Sequence, residues 1–557
     1  IGEFQTAVGN PWSAYYDFGN NDVVDSSDEI PVDSPTTMVG TLNFSYGPDG
    51  GGNIVFNTPT EALTSSGEEI HYWVSADGHS LVGYIYEGYD GQQPARVSYD
   101  GGGEDNYEEM SDVKVIFSAE ITNVATGEFS FTIFGPLDHP IGGTEDNLVI
   151  PLKFTVSDAT GDAAIGTLTV NIDDDSPVLA GYGEDRKPES LTDSVDEANI
   201  GTAWSTGTAA NDGPAVTSGD LSGLVDFGAD GEGSFGFSSN FMQTLYSTDF
   251  WWGIPVPVQL KYSIVNDGDT TTLVATEPDM PFDLRNSTNK VFELELNTTN
   301  GEYEFRLYDE LRHTGDADES LTLNFGAIIE AKDYDGDPVS LDGAFQINVE
   351  DDVPNAQIRL RGEDFVQHDE TPGVQNAYPD KDVSSVGLKF LGISNTGDDA
   401  NVPGSGAIGY ARSGNPVVTT AGSEAGADHL ASDSLSLVVL NTASGLQTTE
   451  GYDITLSMDN AGRIIGRVND TDAGAMNGKA AFAIALDQDG EVFVAQYLSL
   501  NHPNAASADE VINLSGKVAV RYTMTDTDGD TRSADVDVGT SVRFADDGPT
   551  LTQQTIS

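Results

Sequence analysis

The chain has 557 residues, with 92 Asp and Glu against 23 Lys and Arg, and its formal net charge at neutral pH is −69. A surface this acidic repels nucleic acid and anionic lipid and attracts cations, so a nucleic-acid-binding function is excluded. No run of about 18 apolar residues is present, so we expect no membrane insertion.

The length allows about three or four domains, each large enough to bury a core. Cysteine is absent, which is compatible with bacterial export without disulfides. The opening residues, 1–4, are typical of an excised fragment, so we expect anchoring and export signals to lie outside the sequence. A diffuse solubilising or halophilic surface is the alternative explanation of the charge, but the carboxylates cluster at repeated positions.

Apolar and polar residues alternate with period two along the first third of the chain, for example over 70–74, 113–117, 129–133 and 148–156. Asp-Gly pairs such as Asp77-Gly78 separate these runs, as in β-hairpins. There is no long helical stripe. The pattern predicts an all-β sandwich, and it recurs in the middle third.

Two adjacent tryptophans, Trp251 and Trp252, interrupt the middle third. Neighbouring residues of a strand point to opposite faces, so one ring can face solvent, where an aromatic surface can stack on a glycan or peptide. A plug over the end of the sandwich is the alternative. The last third repeats the plan at its ends and differs in its middle.

A turn with carboxylates at alternate positions occurs three times: Asp158-Ala-Thr-Gly-Asp162, Asp333-Tyr-Asp-Gly-Asp337 and Asp526-Thr-Asp-Gly-Asp530. Each turn leads through a strand-like run to an acidic cluster closed by a proline. These closing prolines are Pro177, Pro354 and Pro549, which lie 177 and 195 positions apart.

A Leu-x-His element, ending at His139, His313 and His502, precedes the closing prolines by 38, 41 and 47 residues. The Leu-x-His element and the acidic turn with its closing proline recur three times in the same order, which indicates a tandem array of repeats. We therefore predict repeat 1 at 1–177, repeat 2 at 178–354 and repeat 3 at 355–549, with 550–557 starting the next linker. We expect the histidines to be structural hydrogen-bonding residues, not acid–base groups.

The turn carboxylates are expected to bind cations. Close carboxylates repel unless a cation lies between them. Calcium takes six to eight oxygen ligands, magnesium prefers a small octahedral shell and zinc prefers Cys or His, so we favour several calcium ions. The turn at Asp158 lacks the middle carboxylate and is the weakest candidate.

Acidic residues also flank the predicted boundaries. We expect the acids that close repeat 2, Asp351 and Asp352, to share an ion with the turn acids at 333–337 and with the acids that open repeat 3, at 369–370. Such an ion would bridge two repeats, whereas the alternative is an ordinary acidic linker. The predicted metal ligands are Asp173, Asp174, Asp175, Asp196, Glu197, Asp333, Asp335, Asp337, Glu350, Asp351, Asp352, Asp369, Glu370, Asp526, Asp528, Asp530, Asp546 and Asp547.

These motifs are similar to those of the repeats of giant RTX adhesins exported by type I secretion. The shared elements in repeats 1 and 2 are Leu-Asp-His-Pro, Asp-x-Asp-Gly-Asp and Asp-Asp-x-Pro, and repeat 3 resembles a related repeat over 495–503 and 527–531. The resemblance implies three Ig-like or cadherin-like β-sandwich extender domains in an elongated, calcium-stiffened rod. It also implies an extracellular location on a bacterial surface, where the rod projects a ligand-binding tip in biofilms.

The sequence therefore predicts a structural and adhesive segment and no enzyme. No nucleophile elbow, metalloprotease helix or phosphate loop is present, although abundant carboxylates always permit a glycosidase-like pair. The alternative function is a carbohydrate- or peptide-binding module within one repeat. Expected partners are calcium, neighbouring repeats of a monomeric chain, and host or biofilm glycans or peptides.

Overall fold

The computed structural model describes residues 36–86, 113–139, 147–174, 176–180, 189–200, 213–228, 231–238, 243–251, 254–278, 289–313, 320–371, 373–402, 406–504, 506–507 and 509–548. Within these ranges the chain forms forty β-strands and five short 3-10 helices. The prediction of an all-β fold built from β-sandwich domains is confirmed.

Repeat 1 consists of two facing antiparallel sheets. One sheet has the order β1-β8-β7-β6-β5 and the other β10-β9-β2, while β3 and β4 form a separate small hairpin. Its strands are β1 Thr36–Thr41, β2 Gly51–Phe56, β3 Thr64–Ser65, β4 Glu68–Glu69, β5 His71–Val74, β6 Ser80–Tyr86, β7 Val113–Asn123, β8 Glu128–Ile133, β9 Asn147–Asp158 and β10 Ala163–Asp173.

Repeat 2 has the same plan, with a five-stranded sheet of order β13-β21-β20-β19-β18 opposite the sheets β12-β25-β22 and β15-β23-β24. The pairs β11-β14 and β16-β17 are added, and 3-10 helices lie at Glu197–Asn199, Ser222–Leu224 and Phe325–Ile328. Its strands are β11 Val178–Leu179, β12 Leu191–Asp196, β13 Ala215–Asp220, β14 Val225–Asp226, β15 Glu232–Phe237, β16 Tyr246–Trp251, β17 Ile254–Gln259, β18 Lys261–Asp267, β19 Thr270–Thr276, β20 Lys290–Asn297, β21 Glu302–Leu307, β22 Ser320–Leu323, β23 Ile329–Asp333, β24 Pro338–Ser340 and β25 Phe345–Glu350.

Repeat 3 enlarges one sheet to seven strands, of order β28-β29-β36-β35-β34-β33-β32. The sheets β27-β40-β37 and β31-β38-β39 and the pair β26-β30 complete it, with 3-10 helices at Thr471–Met476 and Gly539–Ser541. Its strands are β26 Arg359–Leu360, β27 Val366–Asp369, β28 Asp382–Val383, β29 Gly409–Arg412, β30 Val418–Thr419, β31 Leu430–Val439, β32 Ala443–Gln447, β33 Asp453–Met458, β34 Ile464–Val468, β35 Ala480–Leu486, β36 Val492–Gln496, β37 Val511–Asn513, β38 Val518–Asp526, β39 Thr531–Asp537 and β40 Val542–Ala545.

Each repeat has a hydrophobic core of its own, centred on Phe117 and Phe131 in repeat 1, Phe292 and Phe305 in repeat 2, and Phe482 in repeat 3. Alternate residues of the core strands are buried, as in β21, because successive side chains of a strand point to opposite faces. The three cores contain no residue in common, so each repeat can bury its apolar surface independently.

The seven-stranded sheet of repeat 3 is buried on both faces, which explains the nearly continuous apolar runs of β35 and β36. Its second face carries Phe493 and Tyr497, and the segment that includes Val386, Phe390 and Ile393 packs against it. This second core accounts for the divergent middle of repeat 3.

The first strand of a repeat pairs in parallel with its last strand in repeats 2 and 3. β12 pairs with β25, placing Asp196 opposite Glu350, and β27 pairs with β40, placing Asp369 opposite Ala545. Parallel pairing brings the carboxyl ends of both strands to the same edge. The acids that open a repeat therefore lie beside the acids that close that same repeat.

We predict that removing a core ring unfolds one repeat and spares the others. Phe305→Ala leaves a cavity in a fully buried site and should lower the free energy of unfolding of repeat 2 by about 3–5 kcal/mol. Differential scanning calorimetry should show that the unfolding transition of repeat 2 shifts to lower temperature while the other transitions stay in place. Val216→Ala on the neighbouring strand, where the side chain is 52% exposed, is the control and should change stability by less than about 0.5 kcal/mol. Equal shifts of all transitions would show that the repeats unfold together.

Candidate cation sites at the repeat junctions

The junction between repeats 2 and 3, called junction 2, brings acidic residues of both repeats together. On the repeat 2 side, ligand atoms of Glu197, His313 and Asp351 all lie within 4.8 Å of one another. Asp351 also forms a second such group with Asp428 and Asp528 of repeat 3. Its carboxylate therefore belongs to both groups and joins the two repeats.

The carboxylates of junction 2 are buried to a degree that is unusual for acidic groups. Glu197 is fully buried, and Asp428 is 1% exposed. Several oxygens are buried and accept no hydrogen bond in the described part of the chain: Oδ1 of Asp351, Oδ2 of Asp428, Oδ2 of Asp526, Oδ1 of Asp528 and Oδ2 of Asp530. Buried polar atoms are normally paired, so this set of oxygens fits a bound cation.

Burial and mutual repulsion raise the pKa values of this cluster. Burial, with the charges of Asp528 and Glu197, raises the pKa of Asp351 to about 9. Burial and then Asp528 raise the pKa of Asp526 to about 8, and burial raises that of Asp428 well above its usual range. A cation among these groups would favour their ionised forms and reverse the shifts.

The turn itself orients the carboxylates of repeat 3. Oδ1 of Asp526 accepts the backbone N–H groups of Gly529 and Asp530 at 3.0 and 2.6 Å. Gly529 has a φ of 120°, a conformation that favours glycine. The turn at Asp333 has the same pattern, with N–H contacts of 3.0 and 2.7 Å to its Oδ1. In both turns the Oδ2 of the first Asp is left for another ligand.

The junction between repeats 1 and 2, called junction 1, is built in the same way. Asp335 accepts the backbone N–H of His139 at 3.3 Å, and Asp337 accepts the hydroxyl of Ser176 at 2.9 Å. Asp174 lies 3.7 Å from the ring of His139. Burial, and then the neighbouring carboxyl group of Asp335, raise the pKa of Asp333 to about 8. The turn of repeat 2 therefore faces the closing acids of repeat 1.

The predicted grouping at the boundary between repeats 2 and 3 was wrong in its partners. Asp351 meets Asp528 of the following repeat, not the turn acids at 333–337 of its own repeat. The reason is that the extended strands β24 and β25 carry the chain from the turn to the other end of the domain, at about 3.3 Å per residue. Each junction combines the closing acids of one repeat with the turn acids of the next.

The same prediction placed Asp369 and Glu370 at junction 2, which was also wrong. Parallel pairing of β27 with β40 places them at the closing end of repeat 3 instead. There Oε1 of Glu370 accepts the backbone N–H of Leu500 at 2.9 Å, and Nε2 of His502 lies 3.8 Å away. Burial opposes protonation of His502, but the nearby carboxylate of Glu370 outweighs it and raises the pKa of the imidazole.

The Leu-x-His element has the same role in repeat 2. The backbone N–H of Leu311 donates to Oε1 of Glu197 at 2.8 Å, and Nε2 of His313 lies 3.5 Å from Oε2. Burial raises the pKa of Glu197, and the contacts with His313 oppose that rise. The element therefore holds the opening glutamate of its own repeat.

Four predicted ligands have other contacts. Asp196 and Asp369 each accept the backbone N–H two residues later, at 2.8 and 2.7 Å, and so cap the following turn. Glu350 is exposed and accepts a serine hydroxyl at 3.2 Å. Asp352 accepts the backbone N–H of Ala427, a direct bond between repeats 2 and 3. At the end of repeat 3, Asp546 is half-buried and Asp547 is exposed.

The turn at Asp158 differs from the other two. Oδ1 of Asp158 accepts the hydroxyl and N–H of Thr160 and the N–H groups of Gly161 and Asp162, at 2.9–3.0 Å. The hydrogen bond from the Thr160 hydroxyl contributes most to lowering the pKa of this exposed carboxyl. This turn, which lacks the middle carboxylate, therefore supplies from its own residues the hydrogen bonds that Oδ1 of Asp158 accepts.

Asp428 was not among the predicted ligands. Its carbonyl accepts the N–H of Thr527 at 3.4 Å, the contact that Gly231 makes in repeat 2 and Gly50 in repeat 1. Asp428 thus takes the place of these two glycines. The position lies just before the strand that pairs with the strand leading into the turn. Aligning the repeats on this position would have revealed it.

Glu310 was also missed. It is 1% exposed, its Oε1 lies 4.0 Å from Nε2 of His429 in repeat 3, and burial raises its pKa well above the usual range. It precedes the leucine of the Leu-x-His element directly, so proximity to that motif was the available signal. Its contact with His429 adds a further link across junction 2.

Two of the predicted residues lie outside the described part of the chain, and the side chains of two more are not described. Asp175 and Trp252 are among the residues not described, and for Asp173 and Trp251 the backbone is described without the side chain. The backbone of Trp251 ends β16, which pairs with β17 as an antiparallel hairpin.

Residues 364–539, within repeat 3, match a family model described as a domain of unknown function, DUF5801. No curated protein matches the chain. No helix among the described residues is long and apolar enough to cross a membrane.

Solved structures with some similarity include a protocadherin γB7 EC3-6 cis-dimer, at 11% identity and a TM-score of 0.17, covering 92% of this chain and 77% of that one. The protocadherin γB4 extracellular domain has 12% identity and a TM-score of 0.13, covering 75% and 56%. The zebrafish RET cadherin-like domains 1 to 4 have 12% identity and a TM-score of 0.12, covering 78% and 63%. The chain thus spans little more than half of the γB4 structure, and the fold class rests on the sheets and cores described above.

We predict that stability in a chelator depends on pH through junction 2. The pKa of Asp351 is raised to about 9 in the folded state, against an ordinary value near 3.9, so the folded state holds an extra proton between these limits. The melting temperature of the cation-free protein should therefore fall as pH rises from about 5 to about 8.

Asp351→Asn should flatten this dependence because the titrating group is removed, and thermal melts at several pH values measure the effect. Asp158→Asn, in the exposed turn, is the matched control and should keep the parent slope. A slope that is unchanged by Asp351→Asn would assign the pH dependence to other groups.

Proposed function

We propose that this chain is a structural, adhesive segment of an extracellular bacterial adhesin, in which calcium ions at the junctions fix the orientation of neighbouring repeats. Junction 2 carries the proposal, because two repeats contribute buried carboxylates to one cluster. The clustered carboxylates of junction 2 are Glu197 and Asp351 from repeat 2 and Asp428, Asp526, Asp528 and Asp530 from repeat 3.

The donor atoms favour calcium over other cations. The group of Asp351, Asp428 and Asp528 offers only oxygen, which is the ligand set of a hard cation. His313 belongs to the other group, but its ring lies against Glu197, so we assign it to holding that carboxylate. With backbone carbonyls and water added, the carboxylates can supply the six to eight oxygens that calcium takes. Because Asp351 belongs to both groups, it is suited to bridge two ions.

The charge of the chain explains why such ions matter. At a net charge of −69, acidic surfaces of adjoining repeats repel each other, and without cations the junction acids add to that repulsion. A cation held by ligands from both sides turns this repulsion into attraction. The linker between repeats is then held in one geometry, whereas weakly contacting domains move independently.

The wider assignment rests on the motifs. The resemblance of the turn, Leu-x-His and closing elements to RTX adhesin repeats supports type I secretion, a bacterial surface location, a role in biofilms and a non-enzymatic function. Glycan or peptide binding by one repeat through Trp251 and Trp252 stays a prediction, because their side chains lie outside the described residues.

We predict that calcium raises the melting temperature and that a chelator lowers it. Ligand binding to the folded state alone contributes about 2.7 kcal/mol per independent site at a hundredfold excess over Kd. Scanning calorimetry with calcium, magnesium or zinc after chelation measures the effect. Calcium should stabilise most. A larger effect of zinc would assign His313 as a ligand. Identical melting curves in chelator and in calcium would contradict the presence of metal sites.

We also predict that the double variant Asp351→Asn, Asp528→Asn loosens junction 2 and leaves each core folded. Asparagine keeps the shape of the side chain and removes the charge that holds the cation. Small-angle scattering in calcium should show a more flexible particle, with a shorter average extension, than the parent protein, and the two should converge in chelator.

Asp158→Asn is the matched control for this experiment and should scatter like the parent in both conditions, because that turn satisfies its own carboxylate. Scattering of the double variant that is indistinguishable from the parent in calcium would mean that direct packing fixes the junction.

A further inference from the structure

Repeat 3 contains a cleft of about 230 Å³ that involves none of the predicted cation ligands. It lies between the loop before β28, the strand β28 itself and the end of β29. Its lining includes Tyr378, Lys381 and Arg412. Two cationic side chains and an aromatic ring are thus gathered at one surface of a chain that has four times as many acidic as basic residues.

The backbone fixes the basic residues close together. The N–H of Lys381 donates to the carbonyl of Gln367 at 3.0 Å, and the N–H of Arg412 donates to the carbonyl of Lys381 at 3.2 Å. Gln367 in turn is the strand partner of Arg543. Three cations that are distant in sequence therefore lie on adjoining segments.

Two of these cations, Lys381 and Arg543, lie near aromatic rings. The guanidinium of Arg543 is 4.0 Å from the centre of the Phe365 ring, and the ammonium of Lys381 is 5.6 Å from the same ring and 6.0 Å from that of Tyr378. Lys381, Arg412 and Arg543 form no ion pair with any carboxylate in the described part of the chain. No described side-chain carboxylate therefore lies within 4.0 Å of these three cationic groups.

The acidic residues of the cleft are engaged elsewhere. Asp382 is 4% exposed, and its two oxygens accept the N–H groups of Asp369 and Gln375 at 3.2 and 3.3 Å. Asp380 accepts the side-chain amide of Gln367 at 2.9 Å. Tyr378, by contrast, is 83% exposed. The cleft thus presents the ring of Tyr378 to solvent, with the cations Lys381 and Arg412 and the half-buried carboxylate of Asp380 in its lining.

We propose that this cleft binds a carboxylated saccharide. A guanidinium and an ammonium are suited to a sugar carboxylate through charge-assisted hydrogen bonds, and the exposed ring of Tyr378 provides an apolar face for a pyranose. An acidic peptide is less well accommodated, because the neighbouring sheet edge, β28, is only two residues long and offers little backbone for strand addition.

The proposal is independent of calcium at the junctions, so the two can fail separately. The test is isothermal titration of the full chain in calcium with tetragalacturonate. Lys381→Gln and Arg412→Gln should each weaken binding roughly tenfold, because each removes a charge-assisted hydrogen bond. Tyr378→Ala should also weaken it. A calcium bridge between carboxylates would not depend on these cations, so equal affinity of the variants and the parent would overturn the proposal.

Lys261→Gln, which removes an exposed lysine of repeat 2, is the matched control and should bind like the parent. The methyl ester of the same saccharide should bind at least tenfold more weakly than the acid. Equal binding of the ester, or tighter binding of a polyglutamate peptide than of tetragalacturonate, would contradict a saccharide carboxylate as the ligand. Melting temperatures equal to that of the parent verify that the surface variants are folded.

Discussion

Repulsion among buried carboxylates from two neighbouring repeats is the constraint on which the arrangement of this chain depends. Asp351 of repeat 2 and Asp528 of repeat 3 offer ligand atoms within 4.8 Å of each other, and burial raises the pKa of Asp351 to about 9. Two like charges this close in a poorly solvated site are unfavourable unless a proton or a cation is shared. The proposed calcium ion is that shared cation, and its ligands come from both repeats.

The topology of the sandwich delivers the acids to the junction. Parallel pairing of the first and last strands places Glu197 and Asp351 at one end of repeat 2, and the turn at Asp333 lies at the other end. Repeat 2 therefore presents half of a cation site at either end, and the closing acids of repeat 1 and the turn acids of repeat 3 supply the other halves. The Leu-x-His element supports the closing half-site by holding its glutamate.

Much of this could be predicted from the sequence. Period-two alternation indicated the all-β fold, and spacing singled out the turn and closing acids. The pairing of half-sites could not be predicted, because motifs adjacent in sequence lie at opposite ends of a strand pair. Asp428 was missed because it is a single substitution of the glycine found in the other repeats. The cleft joins Lys381 to Arg412 through a strand pairing that local patterns do not specify.

The most direct test of the shared cation is anomalous diffraction from crystals grown in calcium. We expect an anomalous difference peak between Asp351, Asp428 and Asp528, with oxygen ligands from both repeats at about 2.3–2.6 Å. Peaks confined to the interior of single repeats, or none at this junction, would contradict it.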